Sequence, residues 1–180
     1  ASEMALAASC RLLPRVDRTR FEVTITPKDI KLRKATEADR EFTYQTVKSA
    51  YRNYVEQVWG WDEEQQRQLQ EEWFAPRKFQ VIQAAGVDVG FLGVHHEPDC
   101  MRLNQIYLLM EHQNRGIGTA CLTRILEEAD ALGLPVRLGV LKVNPRAMAL
   151  YRRLGFQPTG KNETHVQMKR PSSRQEPKEN

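Results

Sequence analysis

Residues 117–132 place the tightest constraint on how this chain folds. Ile117, Ala120, Cys121, Ile125, Ala129 and Leu132 form one apolar stripe at helical spacing, while Arg124, Glu127, Glu128 and Asp130 fall on the opposite face. Gly133 and Pro135 end the pattern as a C′ glycine and a following proline do. Before and after this helix the pattern is that of strands, over Met101–Leu109 and Val136–Leu141. An all-helical or all-strand chain is thereby excluded, and the fold class expected is mixed α/β.

The rest of the chain extends this order. Ile30–Lys34 reads as a short strand, followed by a helix over Glu37–Val58 with Thr36 as N-cap and Asp39 at the capping-box position. Gly60 breaks that helix, and a charged second one over Asp62–Phe74 stops at Pro76. Phe79–Ala84, Val87–His95 and Met101–Leu109, separated by Gly86 and by Glu97-Pro98-Asp99, form an antiparallel meander. In the third run the apolar residues switch phase, from Met101 and Leu103 to Ile106 and Leu108. A one-residue slip of this kind predicts a β-bulge within Asn104–Leu108. Asn144-Pro145 opens a short helix with Ala147, Leu150, Tyr151 and Leu154 on one face. Gly155 closes it, and strands at Phe156–Thr159 and Thr164–Met168 follow, joined by Gly160-Lys161-Asn162. The predicted order is β-α-α-β-β-β-α-β-α-β-β.

Residues 28–170 make up this unit. Residues 1–27, with Arg11, Arg15, Arg18 and Arg20, read as a flexible extension in which Phe21–Ile25 could add an edge strand. Residues 171–180 read as a disordered tail rich in proline, serine and charge.

Composition narrows the class of function. With 41% hydrophobic and 28% charged residues, the chain has enough apolar material for a core. Its net charge of +4 is diluted by 23 acids, so nucleic acid is not an expected partner. No apolar run approaches a membrane span of about 18 residues. Met4–Cys10 has the look of a lipoprotein cleavage site, but its apolar stretch is short and follows Glu3. The 3 cysteines, Cys10, Cys100 and Cys121, are far apart and show neither CxxC nor zinc spacing. A reducing, cytoplasmic setting without a metal is expected.

The chemistry concentrates in Gln113-Asn114-Arg115-Gly116-Ile117-Gly118-Thr119-Ala120, between a strand and the best helix. Glycines there let backbone N–H groups approach a phosphate, the helix N-terminus adds positive potential, and Arg115 offers a cationic fork. The alternative is a tight turn whose glycines only permit close packing. A Walker A loop would require Gly-Lys-Ser/Thr, and a dinucleotide fingerprint a third glycine; neither is present.

Two motifs together resemble the GNAT superfamily of acyl-CoA-dependent N-acetyltransferases. Gln113-x-x-Gly116-x-Gly118 resembles its pyrophosphate loop, and Asn144-Pro145-Arg146-Ala147 with Tyr151-x-x-Leu154-Gly155-Phe156 resembles its second motif. The order of elements from about Ile30 to Arg170 is also the family's. The resemblance implies a mostly antiparallel sheet split at a bulged strand and flanked by four helices. It implies acetyl-CoA as co-substrate, lying between the strand near Ile106 and Val136–Leu141. Ile106, Tyr107 and Leu108 would pair with the pantetheine arm, with the Leu108 N–H donating to the thioester oxygen. Gln113, Asn114, Arg115, Gly116, Ile117, Gly118 and Thr119 would hold the pyrophosphate. Asn144 would bond the pantetheine, and Ala147 would leave room for it.

Tyr151, by the same resemblance, protonates or hydrogen-bonds the departing thiolate. On position alone it is also an aromatic of the core stripe. A phenol near 10 and an alkyl thiol near 8.5 make full transfer uphill by ~2 kcal/mol. The glutamate bases of several family members fall near Arg102 and Gly139 here, neither a carboxylate. Substitute bases are His96, Glu97, Asp99 and His165.

The acceptor side is implied to involve the first two helices. From Glu56 to Glu72 six acids face one base, Arg67. Trp59, Trp61, Asp62 and Glu63, with His96 and His165, are the candidate acceptor-binding residues for a cationic amine. A solvated helix face with Trp59 and Trp61 in the core is the alternative. The activity expected is acetyl transfer to a primary amine, on a small molecule or a protein N-terminus. A homodimer is allowed. A non-catalytic acyl-CoA-binding module and a nucleic-acid-associated acetyltransferase are the rival readings.

Overall fold

The computed structural model describes residues 29–173; the anticipated strand at Phe21–Ile25 and the extension over residues 1–27 lie outside them. The strands are β1 (Ile30–Lys34), β2 (Gln80–Ala84), β3 (Val87–His96), β4 (Met101–Leu108), β5 (Val136–Leu141), β6 (Gln157–Lys161) and β7 (His165–Arg170). The helices are α1 (Arg40–Val58), α2 (Glu63–Trp73), α3 (Ile117–Leu132) and α4 (Pro145–Arg153). Their order is the one the sequence pattern predicts.

Local chemistry sets the ends. The Thr36 N–H donates to Asp39 Oδ2 at 2.8 Å, completing the capping box ahead of α1. Gly133 takes φ 70°, and Leu134 N–H reaches the Ala129 carbonyl at 2.9 Å, a Schellman stop for α3. Gly160 and Lys161 belong to β6 rather than to the turn. The turn begins at Asn162, whose Oδ1 accepts from the N–H groups of Thr164 and His165.

The sheet runs β1-β2-β3-β4-β5-β7-β6, and the β4–β5 pair alone is parallel. Opposite β3, Gly93 pairs with Gln105 and Val94 with Leu103, so Asn104 is the extra residue of a bulge. The predicted slip is therefore present. β4 meets β5 only at Met101–Leu103 against Val136–Leu138, and past the bulge the two strands part.

Two cores cover the sheet. On one side Ile117, Cys121, Leu122, Ile125, Leu126 and Ala129 of α3 pack on Val89, Met101, Leu103, Val136 and Leu138. Leu132, expected in this stripe, is 56% exposed, and Leu122 and Leu126 are buried instead. Burying each such leucine stabilises the fold by about 1.5–3 kcal/mol. On the other side Phe74, Phe79, Val81 and Phe91 form a smaller cluster, joined by Phe42, Val47 and Tyr107. Asp130, expected to face water, is bound by Arg170 at 2.7 Å and accepts from the Ser173 N–H at 2.9 Å. Ser172 is buried, so ordered packing continues past Arg170 to Ser173, while residues 174–180 lie outside the described part. Among the described residues no helix is long and apolar enough to cross a membrane.

Candidate active site

The parting of β4 and β5 opens a cavity of ≈ 580 Å³. Its floor is Ile106, Tyr107 and Leu108 on one side and Gly139, Val140 and Leu141 on the other. One edge of Ile106–Leu108 is bonded to β3. The other has no strand partner, because β5 pairs with β4 no further than Leu103. Backbone polar groups left in such a cleft require a partner, and an extended chain of amides can supply it.

The loop after β4 closes one end. Gln113 Nε2 donates to the Leu108 carbonyl at 3.0 Å and so pins the loop to the strand. Asn114 (φ 61°) and Gly116 (φ 77°) take left-handed conformations that turn the chain into α3. No side chain caps α3. The first intrahelical donor is the Ala120 N–H, to Gly116, which leaves those of Ile117, Gly118 and Thr119 without an intrahelical acceptor. All three residues line the cavity. Free N–H groups at the positive end of a 16-residue helix suit an anion. A Cβ built on Gly118 would meet only the Leu108 side chain, at 3.6 Å, so the space beside it is open.

Arg115 is exposed and does not line the cavity. Arg146 does: its guanidinium donates to Gln113 Oε1 at 3.3 Å and to Asn114 Oδ1. The sequence carried one sign of this, since a cation in the first turn of a helix opposes the helix dipole. Arg153 also lines the cavity.

Asn144 caps α4, its Oδ1 accepting from the Ala147 N–H at 3.0 Å. That engages the amide oxygen and leaves the amide NH₂ free to donate; Asn144 and Ala147 both line the cavity. Tyr151, 8% exposed, lines the same wall and packs edge-on against Phe156 at 5.7 Å. Burial pushes its hydroxyl up to about 12, so it stays a neutral donor throughout the physiological range.

Above the far end stand Tyr51 and Tyr54 of α1. Both line the cavity. Tyr107 meets Tyr51 edge-on at 5.2 Å, and Tyr51 lies 5.8 Å from Tyr54. Burial raises the Tyr51 and Tyr107 hydroxyls far above their usual 10.0.

The expected acceptor-binding set does not converge here. Trp59, Trp61, Asp62, Glu63, His96 and His165 are all absent from the cavity lining. Trp59 is 59% exposed rather than in the core, its ring 6.2 Å from that of His165. Trp61 lies beneath the Arg52 guanidinium and donates to Glu63 Oε2 at 3.0 Å. Asp62 caps α2 through the Gln65 N–H at 2.7 Å. Glu63 accepts from Lys48 at 2.7 Å, and that bond foremost holds its carboxyl down at about 2. The acids are thus engaged within the helical layer. His96 sits at the end of β3 opposite Met101, 3.0 Å from Glu128. Glu97 binds Arg102 at 2.6 Å, and Asp99 lies 3.2 Å from Arg137. None of the four candidate bases lines the split.

Comparison with known proteins shows which family the chain belongs to. The acetyltransferase (GNAT) family model matches residues 41–156, which span the bulged strand, the loop and α4. The chain belongs to this family. GNAT acetyltransferases also share its architecture among solved structures. The PaiA N-acetyltransferase of Thermoplasma acidophilum, in complex with coenzyme A, superposes with a TM-score of 0.66 at 18% identity, covering 79% of this chain and 98% of its own. A ribosomal-protein alanine N-acetyltransferase from Escherichia coli gives 0.61 at 19% identity, covering 80% and 94%. An acetyltransferase from Thermus thermophilus gives 0.63 at 19%, covering 79% and 96%. No curated protein matches the sequence closely enough to count as a relative.

Proposed function

We propose that this GNAT enzyme transfers an acetyl group from acetyl-CoA to a primary amine, by direct attack of the amine on the thioester within one ternary complex. The observation that carries this is the unpaired edge of Ile106–Leu108 running straight toward the uncapped N-terminus of α3. That arrangement fits an amide-bearing arm ending in a pyrophosphate. Gly116, Ile117, Gly118 and Thr119 would hold the phosphates, with Arg146 adding the cation assigned to Arg115 from the sequence. Asn144 would donate to the arm, with Ala147 leaving it room.

The Leu108 N–H would donate to the thioester oxygen as negative charge gathers there. Tyr151 would donate to the departing sulfur. Because burial lifts the hydroxyl to about 12, full proton transfer to a thiolate near 8.5 is uphill by ~5 kcal/mol. A hydrogen bond that shortens as the thiolate forms is the larger part of its contribution. The buried, unbridged thiols of Cys100 and Cys121 suit a reducing compartment such as the cytoplasm.

A second reading, a non-catalytic acyl-CoA-binding module, draws on the lack of any carboxylate or histidine in the lining among the described residues. Thiol release from acetyl-CoA across an amine panel, run beside calorimetry with coenzyme A, tests both. Turnover supports the enzyme, binding without turnover supports the module, and no binding overturns both.

A further inference from the structure

We infer that the acceptor is an α-amine flanked by an amide carbonyl and carrying an apolar or aromatic side chain, rather than a polyamine or a lysine side chain. The inference rests on the acetyltransferase reading. Among the described residues, the ionisable groups lining the cavity are Tyr51 and Tyr54 from α1, Tyr107 from β4, and Arg146, Tyr151 and Arg153 from α4. The loop before α3 and β5 contribute no ionisable group to the lining. Arginine stays protonated, and a phenol takes up a proton only once it has ionised. Burial holds Tyr51, Tyr107 and Tyr151 un-ionised. The acceptor must therefore arrive having already lost its proton to water.

That requirement selects by basicity. At about pH 7.5 an α-amine of pKa near 8 is roughly one-quarter neutral, and an amine near 10.4 only about one part in a thousand. Nor does any anion among the described residues line the cavity to hold a second ammonium group: Glu63 is bound by Lys48 and Trp61, and Asp62 caps α2. What it offers instead is a wall of tyrosine rings, with Tyr51 5.2 Å from Tyr107 and 5.8 Å from Tyr54. Such a wall favours an apolar or aromatic side chain beside the amine.

The test compares phenylalaninamide, a peptide beginning with phenylalanine, phenethylamine and spermidine, by thiol release from acetyl-CoA as a function of pH. The expected kcat/KM for phenylalaninamide exceeds that for spermidine by at least ~10-fold at about pH 7.5. The rising, acidic limb of each profile should follow the acceptor's own pKa, which separates phenylalaninamide from phenethylamine. The peptide arm tells a free amide from a chain terminus as the source. Tyr54→Leu and Tyr54→Ala should raise KM for phenylalaninamide by about 5-fold or more, with coenzyme A affinity unchanged. A preference for spermidine, or one inflection shared by all acceptors, overturns the inference while leaving the acetyltransferase intact. Coenzyme A binding with no turnover of any acceptor overturns it as well, and absence of coenzyme A binding overturns the reading beneath it.

Discussion

Arg146 donates to Gln113 Oε1 at 3.3 Å, so two motifs 33 residues apart in sequence meet at the end of the split beside α3. The contact holds the first turn of α4 against the loop that opens α3. Arg146→Ala should therefore weaken coenzyme A binding by about 10-fold and flatten its salt dependence, while kcat at saturation stays near normal. Calorimetry at two ionic strengths checks both effects.

Two glycines separate binding from folding. A Cβ on Gly118 meets only Leu108 at 3.6 Å, whereas one on Gly90 would stand 2.1 Å from the Tyr107 carbonyl. Gly118→Trp should thus stay folded and lose coenzyme A affinity by ~10-fold or more. Gly90→Ala should lower the melting temperature sharply by prising β3 from β4. A Gly118→Trp protein that binds normally would show that the phosphates lie elsewhere.

Tyr151→Phe removes one hydroxyl and keeps the ring against Phe156. Expected are near-normal stability and coenzyme A binding, with kcat and kcat/KM falling together by at least ~10-fold. With the hydroxyl held at about 12, the wild-type kcat should show no loss from Tyr151 ionisation below about pH 10. Stopped assays over the alkaline range measure this.

Acid should loosen the junction of β1 and α1. The Arg33 guanidinium, 2.6 Å from Asp39, holds that carboxyl at about 2 instead of 3.8. A depressed acid contributes stability above its unfolded value and loses it as pH falls through the folded one. The contribution is about 1–2 kcal/mol once screening around half-exposed Arg33 is allowed for. Asp39→Asn should cost that much at about pH 6 and close to nothing near pH 2. Urea midpoints across the range provide the readout.

Reversing the two acids at the start of α2 should act on the fold. Asp62→Lys removes a cap of about 1 kcal/mol. Glu63→Lys replaces the partner of Lys48 with a like charge. The double variant should melt earlier, with acceptor KM changed less than about 2-fold in the protein that remains folded. A large rise in KM at unchanged stability would restore this segment to the acceptor site.

Much of the architecture was written locally. The bounds of α3 follow from its stripe and from Gly133, and the bulge from the phase slip between Leu103 and Ile106, because both are matters of spacing along one element. Partners across elements left no such trace. The acids near Asp62 look free in sequence because Lys48, which binds Glu63, lies on α1. Tyr51 and Tyr54 sit on a stripe that in most helices only packs, and their place over the cavity depends on how α1 crosses β4. Trp59, which the sequence offers to the acceptor site or to the core, falls at the end of α1 and is 59% exposed.

The bulge at Asn104 has a consequence that composition conceals. Before it, Met101 and Leu103 face α3; after it, Ile106 and Leu108 do so, and Tyr107 turns to the side of Phe91 and Tyr51. Were Asn104 paired like any other strand residue, the pleat would carry Tyr107 into the α3 core and send Ile106 and Leu108 to the opposite face. This wall of the cleft therefore depends on how Asn104 is paired rather than on the identity of its side chain. Replacing Asn104 by other side chains leaves the bulge in place, whereas deleting it would restore regular alternation from Leu103 to Ile106, keeping both faces of the strand and removing the local bend.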